Sequence, residues 1–327
     1  MTIAMALPRP ADRLVVIGVL NVTPDSFSDG GRHDSPATAL RRGRELWAQG
    51  ADLVDVGGES TRPGAGPVDA AEQIRRVCPV IEALAALGVP MSVDTTRAAV
   101  AAAALAAGAS VINDASGGLA DPDMARVASD AGCPWILTHW RGPSVAMAAS
   151  ARYRDVVAEV AQELTERVAA AERAGVDPGQ LVIDPGLGFA KRPEHDLALL
   201  RQLGRLADLG LPVLVGASRK SFLGAALADA TGAPRPVDRR EAATVAVTAH
   251  AAAAGAWGVR VHEVAASLDA ARVIAAIRAA DGGAASGGAL AGRALGGRAV
   301  GGRAAGGGTG GGTGAERAGA ERAGTTR

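Results

Sequence analysis

Eight short runs of Val, Ile and Leu punctuate the chain, each ending in a polar, turn-rich stretch and each followed by a segment of helical length. No other feature constrains the fold as strongly. The runs span 14–20, 53–56, 90–93, 110–112, 135–137, 181–183, 212–215 and 257–261. They are too short for helices and are bounded by Pro, Gly, Asn or Asp, so they read as strands. Their near-continuous apolarity predicts a parallel sheet buried on both faces. Helices are expected over 36–50, 69–87, a stretch ending at Ala107, 121–131, 152–174, 194–207, 238–254 and 264–279. Eight strand-then-helix units in about 270 residues fit a closed α/β architecture, the (β/α)8 TIM barrel. An open doubly wound sheet is the alternative. Its dinucleotide-binding form requires GxGxxG after an early strand, which this sequence lacks.

Composition sets the domain limits. From Gly282 to Arg327 the chain is almost entirely Gly, Ala, Thr and Arg, and AERAG occurs at 315–319 and again at 320–324. Such a segment cannot bury enough surface to offset its ordering entropy. The expected organisation is a flexible N-terminus over 1–11, a barrel domain over 12–280 and a disordered Gly/Ala/Arg-rich C-terminal tail over 281–327. The arginines at 293, 298 and 303 lack the interleaved aromatics of a nucleic-acid tail. The 34 basic and 34 acidic residues balance, so no nucleic-acid or membrane partner is expected. Cys78 and Cys133 have no CxxC spacing and read as reduced thiols. No early signal stretch appears, and no apolar run reaches the roughly 18–20 residues that span a bilayer. A soluble cytoplasmic protein is expected.

The chemistry lies where the strands end. Asn21, Thr61 with Arg62, Asp94, Asn113, Asp184, the Ser218-Arg219-Lys220 run, Arg260 and His262 all sit at or just beyond these ends. In a barrel such ends converge on the C-terminal mouth. One of them, Asp184 in IDPGLGFAK, is explained as well by a helix-capping carboxylate. Caps do not explain a whole ring. Its acid-and-amide half, Asp94, Asn113 and Asp184, suits a flat heterocycle with adjacent N–H donors, because a carboxylate accepts parallel N–H bonds. Its cationic half, Arg62, Arg219, Lys220, Arg260 and His262, suits phosphate or carboxylate. The expected ligand is aromatic at one end and anionic at the other. A bare nucleotide is disfavoured, since no Walker glycine loop is present.

Those residues fall within motifs that resemble the dihydropteroate synthase family. NVTPDSFSDGG at 21–31, GGESTRPGA at 57–65, SVDT at 92–95, INDASGG at 112–118, DPGLGF at 184–189, SRK at 218–220 and RVH at 260–262 occur in family order and spacing across 14–279. His139-Trp140-Arg141 and the GASRK spelling look most like actinobacterial members. The resemblance implies condensation of a dihydropterin-methyl diphosphate with 4-aminobenzoate, giving dihydropteroate and diphosphate, in a homodimer. It implies that Asp94, Asn113 and Asp184 hold the pterin, with Lys220 above its ring. Asn21 would ligate a Mg2+ that rides on the diphosphate. Thr61, Arg260 and His262 would grip the phosphates, and Lys220, Arg260 and His262 would carry catalysis. Thr61, Arg62, Pro63, Phe189, Ser218 and Arg219, beside Lys220, would line the 4-aminobenzoate side, for which sulfonamides would compete. The 21–31 loop, with Asp25 and Phe27, and the 57–67 loop would close over both substrates.

Departures from the family spelling are few: Thr138 replaces a usual Met, Arg192 and Asp196 replace Thr and Asn, and Glu263 replaces Asp. None removes an implied ligand. Two other readings share the fold, a non-catalytic binding paralogue and a pterin-binding methyltransferase domain. The first is expected to lose part of the anion-binding set. The second has no use for Thr61-Arg62-Pro63 and normally partners a corrinoid module.

Overall fold

The computed structural model describes residues 7–23, 36–59, 68–142 and 147–290. Its strands are β1 (Val15–Asn21), β2 (Leu53–Gly57), β3 (Met91–Asp94), β4 (Val111–Asp114), β5 (Trp135–Thr138), β6 (Leu181–Asp184), β7 (Leu214–Val215) and β8 (Gly258–Val261). They pair in parallel in the order β6-β5-β4-β3-β2-β1-β8-β7. A parallel bridge between Ile183 and Val213, with Ile183 N donating to the Pro212 carbonyl at 2.9 Å, joins the two ends of that row. The result is the expected (β/α)8 TIM barrel.

The helices are α1 (Pro36–Ala48), α2 (Ala70–Ala85), α3 (Ala98–Ala107), α4 (Met124–Ala131), α5 (Met147–Ser150), α6 (Val156–Arg173), α7 (Pro193–Arg201), α8 (Leu203–Ala207), α9 (Ser221–Ala226), α10 (Glu241–Ala253) and α11 (Val264–Leu290). Three were not legible as such in the sequence. The expected 194–207 helix is divided at Gln202 into α7 and α8, and the short α5 and α9 lie in stretches for which no helix was expected. The chain divides into two compact units, Met1–Asp281 and Gly282–Arg327, and the barrel lies in the first. The final helix does not stop at 279, since α11 runs on to Leu290. The tail beyond 290 lies outside the described residues.

Side-chain alternation explains why the strands read as nearly all apolar. Val16, Leu20, Val54, Val56, Met91, Val93, Ile183, Val213, Val215, Val259 and Val261 pack outward against the helices. Val15, Ile17, Leu53, Val111, Ile136, Val182 and Leu214 form a separate inner cluster that fills the barrel floor. Two residues further along the β2, β4, β5, β6 and β7 segments, on that same inner face, stand Asp55, Asn113, Thr138, Asp184 and Gly216. The barrel interior is therefore apolar below and polar above, and the change takes one step of the pleat.

The floor is closed from beneath. Leu7 belongs to the inner cluster, and the Trp257 indole donates to the Pro8 carbonyl at 3.1 Å. Leu7 and Pro8, which fall in the segment expected to be flexible, are thus held at the barrel bottom, because an open end offers apolar surface for Leu7 to cover. Cys78 and Cys133 are free thiols. Among the described residues no helix is long and apolar enough to cross a membrane.

Candidate active site at the barrel mouth

Strand register builds the acid-and-amide half. Asn21 pairs with Gly57, Gly57 with Asp94, and Asp94 with Asn113, so four adjacent strands present these residues at one level. Gly57 matters by what it omits. A β-carbon there would lie 3.6 Å from Asp94 Oδ2 and 3.8 Å from Asn21 Oδ1, so the glycine leaves a gap flanked by two hard oxygen donors.

Beneath this level lies Asp55, which reading the sequence missed. It is fully buried, and its carboxylate accepts from Arg260 Nε at 2.6 Å, Asn113 Nδ2 at 2.9 Å and Ser92 Oγ at 2.5 Å. Arg260 Nη2 also donates to Asp94 Oδ2 at 2.6 Å. Burial disfavours the guanidinium charge, but Asp55 and Asp94 hold its proton more tightly than usual. Burial also drives the Asp94 carboxyl up to about 7; Arg260 opposes this, while Asp55, Asp114 and Glu59 add like charge. The one clue to Asp55 in the sequence was a charged residue inside the apolar run LVDVG.

Across the opening, Asp184 ends β6 and its Oδ1 accepts from Gly186 N at 2.7 Å. Burial raises its pKa against the pull of nearby Lys220. Gly186 has no substitute: at φ 65° its β-carbon would sit 2.1 Å from the His139 carbonyl oxygen. Lys220 Nζ donates to the Leu187 carbonyl and lies 4.6 Å from the Phe189 ring centroid, a cation–π contact. Burial lowers the Lys220 pKa, with Asp184 and Asp196 opposing. Phe189 is half-buried and forms one wall of this side.

His262 and Ser218, assigned by resemblance to different substrates, are partners here. Ser218 Oγ is 3.0 Å from His262 Nδ1 and accepts from the His262 N–H at 3.2 Å. The Arg219 guanidinium, implied for the 4-aminobenzoate side, is paired with two glutamates. Its Nη2 donates to Glu263 at 2.8 Å and its Nε lies 3.7 Å from Glu241. The cause is local backbone: Arg219 has φ 60°, a left-handed conformation between Ser218 and Lys220, and it pairs with Glu263 and Glu241 rather than with the Asp184–Lys220 side. Asp25 and Phe27, and Thr61, Arg62 and Pro63, lie outside the described residues.

The mouth thus joins three carboxyls and two amides to Lys220, Arg260 and a Ser–His pair. It combines a surface for ring N–H donors with a cationic edge, which defines a site for an anionic heterocycle. The comparisons agree. Residues 17–262 match the family described as pterin binding enzyme, and the chain belongs to that family. It is 56% identical over 262 residues to the dihydropteroate synthase of Mycobacterium leprae (strain TN), covering 80% of this chain and 92% of that protein. Among solved structures it resembles Xanthomonas albilineans dihydropteroate synthase with 4-aminobenzoic acid, at TM-score 0.76 and 46% identity, covering 82% of this chain and 94% of that one. The same enzyme in complex with 7,8-dihydropteroate aligns at TM-score 0.73 and 44% identity, covering 82% and 95% of the two chains.

Proposed function

We propose that the chain works as a dihydropteroate synthase whose mouth promotes dissociative loss of diphosphate from a dihydropterin-methyl diphosphate, followed by attack of the 4-aminobenzoate amine. The observation that carries this reading is the register of Asn21, Gly57, Asp94 and Asn113, with Asp184 and Lys220 opposite. Asp94, Asn113 and Asp184 accept and donate along the pterin edge. Breaking the carbon–oxygen bond leaves positive charge on a methylene conjugated with the ring, and the buried carboxylates favour that charge. The departing diphosphate needs an anion trap, a role this reading gives to Arg260 and His262. No covalent nucleophile or strong base is required, because an arylamine attacks once it is positioned. Phe189 and Lys220 form the described part of the 4-aminobenzoate wall, and Thr61, Arg62 and Pro63 complete it in this reading. Ser218 reaches that wall while orienting His262.

A Mg2+ accompanying the diphosphate fits the gap over Gly57, where Asn21 would hold it. Among the described residues no group of three or more His, Cys, Asp or Glu could enclose a metal, so its other ligands would be substrate and water oxygens. Such an ion would supply neutralisation of charge on the leaving group. A cytoplasmic homodimer is the working assembly in this reading, supported by free Cys78 and Cys133 and by exposed Val273 and Ile277 on α11.

Incubating purified protein with the pterin diphosphate, 4-aminobenzoate and Mg2+ tests the whole reading. Diphosphate and dihydropteroate should appear in equal amounts. Binding of the pterin without either product would instead favour the non-catalytic paralogue.

A further inference from the structure

We infer that Lys191, held by His139 and Glu163, is a positioning residue for the 4-aminobenzoate wall: it fixes the loop 184–191 so that Phe189 and the Leu187 carbonyl meet Lys220. The inference deepens the proposed reaction and rests on it for its kinetic readout.

The loop that carries Phe189 is shaped by side chains more than by its own backbone. Lys191 Nζ donates to the carbonyls of Gly186 at 3.0 Å and Phe189 at 3.1 Å, which ties the two ends of the turn together. Its third bond goes to His139 Nδ1, 2.9 Å away. An ammonium can only donate, so Nδ1 must accept, and the imidazole proton then sits on Nε2. Nε2 lies 3.0 Å from Glu163 Oε2 on α6, the geometry of a donated bond. Glu163 is gripped in turn by Arg141, whose guanidinium lies 3.9 Å from the Tyr153 ring centroid. A second clamp acts mid-loop, where Gly188 N donates to the buried Asp196 Oδ1 at 2.8 Å.

Backbone strain marks the same place. Among the described residues only Ala190 and Arg219 combine a side chain with positive φ, at 48° and 60°. Each directly precedes a lysine of this wall, Lys191 or Lys220. A left-handed alanine is unfavourable and persists only where its surroundings over-determine it. The Lys191 bonds on either side of Ala190 supply that constraint. The network meets the acid-and-amide half only at Asp184, whose side chain accepts from Gly186 N at 2.7 Å and whose carbonyl accepts from His139 N at 2.8 Å, and none of its bonds goes to Asp94 or Asn113, so its loss should be felt by one substrate more than the other. His139 and Arg141 belong to the HWR sequence at 139–141, for which the proposed reaction has no other use.

Lys191→Met keeps the stem and removes every donor. The full-length variant should show KM for 4-aminobenzoate raised roughly tenfold, as expected for lost charge-assisted bonds, with KM for the pterin diphosphate within about twofold. Glu163→Gln, which keeps bulk and an acceptor, should give the same selectivity at smaller size. Hydrogen exchange over 184–191 should quicken in both variants while the β-strands stay protected. A general loss of stability would raise both KM values together and speed exchange everywhere. That result, or unchanged loop exchange in Lys191→Met, overturns the inference, and if Lys191→Met does not fold, Glu163→Gln decides it by the same two readouts. Wild-type protein that makes no dihydropteroate would count against the reaction, leaving loop exchange to judge the clamp.

Discussion

Arg260 and Lys191 are both half-buried cations at the mouth, and their surroundings drive them in opposite directions. Arg260 lies between two carboxylates, Asp55 and Asp94, each at 2.6 Å, and keeps its proton more firmly than in water despite burial. Lys191 meets two carbonyls and a neutral imidazole, and burial pushes its ammonium down to about 7 in spite of Asp196 and Asp184 nearby. Full charges offset the loss of hydration; dipoles offset less of it. One side of the mouth therefore rests on a permanent cation, and the loop opposite rests on one that titrates near neutrality.

Breaking the permanent side should have the larger effect. Asp55→Ala removes one of the two Arg260 partners and leaves Asn113 and Ser92 without their acceptor. Losing one partner of a buried ion pair typically lowers stability by about 3 kcal/mol or more. Urea unfolding should register that loss, and pterin binding should weaken with it. An Asp55→Ala protein as stable as the wild type would mean that Asp94 alone suffices to hold Arg260.

The comparison sharpens further with pH. As pH rises through about 7, Asp94 loses its proton and gains an acceptor for the pterin edge, so KM for the pterin substrate should fall a few fold. Over the same range Lys191 gives up a proton and with it one donor to the 184–191 loop, so KM for 4-aminobenzoate should rise a few fold. Steady-state kinetics with each substrate varied in turn checks this. Two KM values that move together would remove the distinction between the halves.

The permanent side was only partly legible in the sequence, and the titrating side less so. Asp94, Asn113 and Asp184 announced themselves because each closes an apolar run, and the barrel follows from eight such runs. Asp55 was hidden because it stands inside a run, one pleat below the rim, where a charge looks like an interruption rather than a hub. The glutamate partners of Arg219 were hidden because a reversal of φ leaves no mark in residue type. Lys191 was visible within DPGLGFAK, but its partners, His139 and Glu163, come from another loop and another helix. Such convergence is a property of the closed barrel rather than of any local pattern. Leu7 escaped for the converse reason, since Pro and Arg neighbours masked an apolar residue that the open barrel floor takes up.

The smallest expected effect isolates the far end of the clamp. Burial drives His139 down to about 4 from an ordinary 6.5, with Glu163 opposing. A histidine whose folded pKa lies below its unfolded one contributes stability that is complete above 6.5 and is lost as pH falls through about 4. Asp94 works in the opposite sense: its raised pKa gives a contribution present below 3.8 that is lost as pH rises through about 7. The wild-type profile alone therefore mixes the two. Subtracting the profile of His139→Gln removes the Asp94 contribution, which both proteins share. The remaining difference should be on the order of 1 kcal/mol near neutral pH, because Gln retains a donor and an acceptor, and it should shrink towards pH 4, where wild-type His139 is taking up its proton. Urea unfolding of both proteins across this range makes the comparison. A difference that stays constant as the solution is acidified would show that His139 takes up its proton as readily in the native protein as in the unfolded chain, so that the fold would not hold its Nδ1 as an acceptor for Lys191 and the loop would need another anchor.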